Sequence, residues 1–235
     1  MIDQIVRAVV KSHPDILPYL SGKAVVLAFE ARPYKTYEEL LEFVKSTVRD
    51  LYIGKLGTFE FIDDMVRGMT GQIKDAYEYA WNDAEMEGAF PRWLDKSMID
   101  FSSRAVDMNL IYSFYKDIIK ARETKAPLLP LLERAQLWAN RWNDAYNAAM
   151  LAINSEMGQK LKWVEGDTEK KCDVCVALNG IVAYAKIWDE LGVKPQSAPN
   201  SKLTCGGWRC QCYFEVTTSR ATRNARDRIR AAVGM

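Results

Sequence analysis

The residues best suited to chemistry are the five cysteines, all of which fall between Cys172 and Cys212. In Cys172-Asp-Val-Cys175 the two-residue spacer sets both sulfurs on the same side of a tight turn. In Cys205-Gly-Gly-Trp-Arg-Cys210-Gln-Cys212 two glycines let the backbone fold closely, and Cys210 and Cys212 share one face of an extended segment. Thiolates at such spacings are ligands for zinc, which takes four in a tetrahedron and, once closed by four sulfurs, leaves no position for water or substrate. The expectation is therefore one structural zinc ion. Cys172, Cys175 and Cys205 supply three ligands and either Cys210 or Cys212 the fourth, which leaves one cysteine as a buried free thiol. Bound metal would add folding free energy to a short segment with few apolar residues. An odd cysteine count, together with an amino terminus (MIDQIVRAVV) that does not read as an export signal, disfavours a disulfide framework. Two disulfides fixing the same loops are the alternative.

Other chemistries find little support. A C-x-x-C works in thiol–disulfide exchange when it opens a helix in a βαβ unit. Here the pair follows the charged run Glu165 to Lys171 and precedes Asn179-Gly180, a hairpin-type turn, so no helix is expected to begin at it. His13 is the only histidine, which removes histidine-based nucleophilic and metal-hydrolytic sites. No glycine loop with a following Lys-Ser/Thr is present to cradle phosphate. The chain reads as a non-enzyme.

The elements that must carry the cysteines are mainly helical. Residues 1–35, interrupted by His13-Pro14 and Arg32-Pro33, read as an irregular lead-in. A capping box at Thr36-Tyr37-Glu38-Glu39 starts a helix with the stripe Leu40, Val44, Val48, Leu51. A second, long helix carries Phe61, Met65, Met69, Ile73, Ala76 and Ala80 and ends near Gly88 and Pro91, with Gly68 and Gly71 weakening its middle. A third is expected from Asp95 to Arg122. A fourth, starting near Leu131, has Ala135, Trp138, Trp142, Ala145, Ala149 and Ala152 on one seam. The Trp and Met stripes read as core, not as a cofactor pocket.

Beyond Gly158 turn residues become frequent, and short strands are expected at Leu161 to Val164, Ile181 to Tyr184 and Trp208 to Val216. The predicted architecture is thus mainly α, with a helical domain of about four long helices over 36–158. A small α+β cysteine-rich, zinc-knuckle-like module follows over 159–218. Residues 219–235, with Arg220, Arg223, Arg226, Arg228 and Arg230 against Asp227 alone, form a basic carboxy-terminal tail ending in a short helix. Net charge is only +1, so any attraction to nucleic acid must be local to that tail. No run approaches the roughly 20 apolar residues of a membrane span.

The run from Trp163 through Cys172-Asp-Val-Cys175-Val-Ala-Leu-Asn179-Gly180 to Cys205-Gly-Gly-Trp-Arg-Cys210-Gln-Cys212 resembles the carboxy-terminal module of phage Mu F-like head morphogenesis proteins. In that family a C-x-x-C is followed by Leu and Gly, then, after a Pro-containing stretch, by His or Cys shortly before C-x-C or C-x-H. The chain departs from the common pattern in placing Cys205, not His, at the third position. Zinc chemistry tolerates that exchange. Ala80-Trp81 and Leu137-Trp138-Ala-Asn-Arg-Trp142 also look like the helical region of the family. The resemblance implies a minor capsid protein of the virion, assembled in the host cytoplasm and present in several copies beside portal and capsid proteins. Its implied role is head morphogenesis or genome delivery. The alternative is a nucleic-acid-binding zinc module in which Arg220 to Arg230 and Trp208-Arg209 contact phosphate and bases, packaged DNA included.

Overall fold

The computed structural model describes residues 37–166, 171–198, 200–207 and 210–235. The lead-in expected over 1–35, Thr36 of the capping box, and Trp208-Arg209 lie outside the described residues. Among the described residues the chain is mainly helical with one small three-stranded sheet, as the sequence pattern predicts. It divides into two compact units.

The first unit takes in the described residues up to Asp75 together with Asp95–Trp142. Helix α1 (Tyr37–Tyr52) buries Leu40, Val44, Val48 and Leu51, the stripe read from the sequence. Helix α2 (Thr58–Asp83) contributes Phe61, Met65, Met69 and Ile73, all buried. Gly68 has a packing reason: a Cβ there would lie 2.7 Å from the Phe43 ring, so the glycine lets α1 come close. The helix expected from Asp95 to Arg122 is instead two, α3 (Arg92–Ala105) and α4 (Met108–Glu123). Asp107 breaks the run. It is extended, with φ −91° and ψ 106°, and its carboxylate accepts from the backbone amides of Asn109 (2.9 Å) and Leu110 (3.3 Å). Those donors have no partner within the helix, and a short acidic side chain satisfies them better than continued helix would.

The fourth expected helix is likewise two, α5 (Leu129–Ala139) and α6 (Arg141–Glu156), separated at Asn140. Asn140 stays in the right-handed helical region and still donates its amide to Gln136 O, so the apolar periodicity runs on with little change of phase. Its side chain accepts from the Tyr37 hydroxyl at 2.9 Å. Helix α1 packs on α5 and α4, and Phe114 joins them by stacking on Trp138 at 6.0 Å.

The second unit comprises Ala76–Leu94 and Asn143–Met235. Within it the Tyr146 hydroxyl of α6 hydrogen-bonds Asp83 at 2.8 Å, and the Tyr79 and Tyr146 rings meet edge to face at 6.1 Å. After a turn at Gly158 come β1 (Lys160–Val164), α7 (Asp173–Leu178), β2 (Val182–Tyr184), α8 (Ala185–Glu190), β3 (Tyr213–Val216) and α9 (Ala225–Ala232). The sheet order is β2-β1-β3, all antiparallel, with Leu161 opposite Ala183 and Trp163 opposite Phe214. β1 reads as period two, Leu161 and Trp163 facing the core and Lys160, Lys162 and Val164 outward. Trp163, Trp188 and Phe214 pack as a trio with centroids 5.3–5.8 Å apart, and the Trp188 indole donates to Leu161 O at 3.2 Å.

Two expected boundaries shift. A domain limit near residue 158 gives way to one at 142/143, because α6 supplies Leu151 to the same core that holds Leu161 and Trp163. The basic tail of residues 219–235 packs onto this unit. Thr222 lies along β2, its amide donating to Val182 O (2.8 Å) and its hydroxyl accepting from Val182 N (2.9 Å). Ala225 and Ile229, one helical turn apart, then bury α9 against α7 and β2. The third strand is also shorter than expected, since residues 210–212 are not part of it and β3 begins only at Tyr213.

Candidate metal centre

Local structure brings the two cysteine groups together. Cys172 is the residue that precedes α7, extended at φ −80° and ψ 127°, and Cys175 sits within that helix. The expectation that no helix begins at the C-x-x-C is therefore corrected. Helix α7 has only six residues, joins antiparallel strands, and ends where the Asn179 amide bonds Cys175 O at 3.0 Å. Its carboxy end is anchored to the end of β1: Gly180 donates to Trp163 O at 2.9 Å, and Asn179 Oδ1 accepts from Glu165 N at 3.1 Å.

The second group rides on a looped segment between α8 and β3. Asn200 N donates to Gly206 O (2.9 Å), Gly206 N to Leu203 O (2.7 Å), and the Gln196 side-chain amide to Cys212 O (2.9 Å). Gly207 has φ +79°, and a Cβ there would lie 2.5 Å from Ser197 O. Backbone must pass backbone at this point, which is what the glycine pair permits. Gly207→Ala adds both a strained left-handed conformation and a clash. It should lower the stability of the second unit by about 2 kcal/mol or more, measured by urea unfolding.

All five sulfurs enter one continuous cluster, in two overlapping triads. Cys172, Cys175 and Cys205 have their sulfurs within 4.8 Å of one another, and so do Cys175, Cys210 and Cys212. Cys175 belongs to both. Each triad can hold a metal ion. All five cysteines are free thiols in this structure, with no disulfide between them.

The surroundings favour sulfur anions at defined positions. Burial works against a charged Cys172, yet the backbone amides of Cys175 and Cys205 donate to its sulfur and hold its pKa below the usual thiol value. Contacts with Cys175 and Cys210, aided by the Gly166 amide and the Trp163 indole against the effect of burial, lower that of Cys212 to about 3. The Cys175 thiol, donating hydrogen bonds to the Cys210 and Cys212 sulfurs and buried besides, has its pKa raised. The hydrogen bond with Cys175 favours a charged Cys210, but Cys212 and burial outweigh it and push the pKa up to about 12. Burial raises Cys205 although the Gly207 amide donates to it. Amide donors aimed at sulfur are the outer shell that orients thiolate ligands around a metal. Trp163 Nε1, wholly buried, has no hydrogen-bond partner of normal geometry and sits beside Cys212.

The basic residues end up on one short helix and the segment before it. Arg226 pairs with Glu190, whose carboxyl it holds below the usual range. Arg220, Arg223, Arg228 and Arg230 are exposed, with Asp227 the acid among them. Arg226 is thus spent on tying α9 to α8, a role the sequence reading did not assign. It also missed the amides of Gly166 and Gln196 that face Cys212 and Cys210, since backbone donors leave no residue-type signal.

No family model matches the chain, and neither the curated proteins nor the solved structures contain a significant match to it.

Proposed function

We propose that this protein is a structural component of a phage head, a minor capsid protein acting in head morphogenesis or genome delivery near the portal, whose cysteine module is clasped by zinc. The observation that carries the reading is the meeting of Cys172 and Cys175 with Cys205, Cys210 and Cys212 at one locus of a small sheet that follows a helical region. That is the arrangement the Mu F-like sequence resemblance implies. One zinc ion takes Cys175 and three of the other four sulfurs, the two triads drawing together to the sulfur spacing of about 3.8 Å that a tetrahedral zinc–thiolate site requires. The metal fixes loops that a small core would hold weakly. The helices of the first unit then serve as packing elements toward portal, capsid or further copies of the chain.

A second reading, binding to nucleic acid, draws on the four exposed arginines, Arg220, Arg223, Arg228 and Arg230. The deciding experiment fractionates heads from an infected culture and probes the fractions for the protein and for association with portal. Recovery in heads supports the structural role; recovery only as free protein overturns it. Salt-sensitive DNA binding that is lost when these four arginines become alanine would assign the second reading instead.

A further inference from the structure

Four ligands and a bystander, the arrangement expected around one zinc ion, is not the only one that five such thiols allow. A bystander thiol in a packed core would be a neutral, weakly donating group in apolar surroundings. Here every sulfur lies within 4.8 Å of at least two others, and none stands apart from the cluster. Cys175 in turn is the member common to both triads. Among the described residues no fourth ligand atom joins either triad within the same 4.8 Å. What the fold displays is two three-sulfur sets hinged on one shared sulfur.

Three thiolates satisfy a soft monovalent d10 ion, whereas zinc wants four ligands, and soft sulfur donors are what select Cu(I). We infer that the cluster is a two-lobed site able to hold a pair of Cu(I) ions, one in each triad, with Cys175 as a bridging thiolate. The inference rests on the reading of the cluster as a metal site and extends it from one ion to two. Each bound thiol releases its proton to the buffer, and the metal enters and leaves as Cu(I), so no oxidant or reductant is consumed. Cys172 and Cys205 hold one lobe, Cys210 and Cys212 the other, and all five cysteines are ligands.

The test titrates the full chain with Cu(I) under anaerobic conditions against a chromophoric Cu(I) competitor, and in parallel with zinc against a zinc indicator. Two Cu(I) per chain but one zinc is the expected result. Cys205→Ser and Cys212→Ser, each sparing one lobe, should both fall from two Cu(I) to one. Cys175→Ser should leave no triad and lose tight binding of both ions. A plateau at one Cu(I), or two ions still bound by Cys175→Ser, would overturn the bridged pair while leaving a mononuclear zinc site intact. If neither metal binds the unmodified chain, the metal reading itself fails. Far-UV circular dichroism on each variant separates lost ligands from lost fold, and the two single-lobe variants decide the matter if Cys175→Ser does not fold.

Discussion

Cys175→Ser should cost the second unit its cooperative unfolding. Structural zinc sites contribute on the order of 10–16 kcal/mol to folding, while whole domains are stable by only about 5–15 kcal/mol. With zinc bound as proposed, a change that releases the ion would therefore remove as much as the unit has. Cys175 is the position to choose because it belongs to both triads. Loss should propagate outward through α7, since Cys175 O holds the Asn179 amide and Asn179 holds Glu165. Hydrogen exchange should show lost protection at Trp163, Gly180 and Ile181, whose ladder bonds close β1 onto the end of α7. The first unit should keep its protection, because its core residues Leu40, Phe61, Ile111 and Phe114 are independent of the sulfur cluster. Treatment of the unmodified chain with a strong chelator should reproduce the pattern. Unchanged protection in β1 after either treatment would mean that the sheet stands without metal.

Much of this arrangement was legible in residue types, and the parts that were not share a cause. The stripes Leu40, Val44, Val48, Leu51 and Phe61, Met65, Met69, Ile73 report burial directly, because a helix repeats every 3.6 residues and a core face repeats with it. The alternation of Leu161 and Trp163 with Lys160 and Lys162 does the same for a strand. Periodicity is blind where a helix stops for one residue and resumes nearly in phase, as at Asn140, and it outvotes a local signal such as the Asp107 cap, which the sequence does contain. Helix α7 escaped for another reason: at six residues it is too short for a stripe, and Cys172 caps it without a capping side chain. The fate of residues 219–235 was written in Ala225 and Ile229, four apart, but the surrounding arginines dominate any reading by composition. Convergence of the cysteines was foreseeable from spacing, since C-x-x-C and C-x-C each fix a local geometry. The sharing of Cys175 between two triads was not, because it depends on how the loop over 194–212 returns to β1.

The other large effect is expected at Trp163, which ties the sulfur cluster to the apolar core. Its ring is wholly buried, edge-on to Phe214 at 5.6 Å and tilted against Trp188 at 5.8 Å, while its backbone bonds Gly180 and Ile181. Trp163→Ala empties the centre of the trio, and truncating a large buried aromatic costs about 3–5 kcal/mol. That lies below the loss expected from releasing metal but is a large part of a domain's margin. Trp163→Phe separates packing from the polar contribution of the indole. The phenyl ring refills most of the volume and removes a buried N–H that lacks a well-formed partner, so it should recover most of the stability in urea unfolding followed by circular dichroism. The same N–H favours the Cys212 thiolate, so Trp163→Phe should nonetheless release metal to a competing chelator faster than the unmodified chain. Stability restored together with unaltered metal retention would show that Trp163 serves the core alone; stability restored with faster release would place its indole among the groups that hold the sulfur cluster ready for its ion.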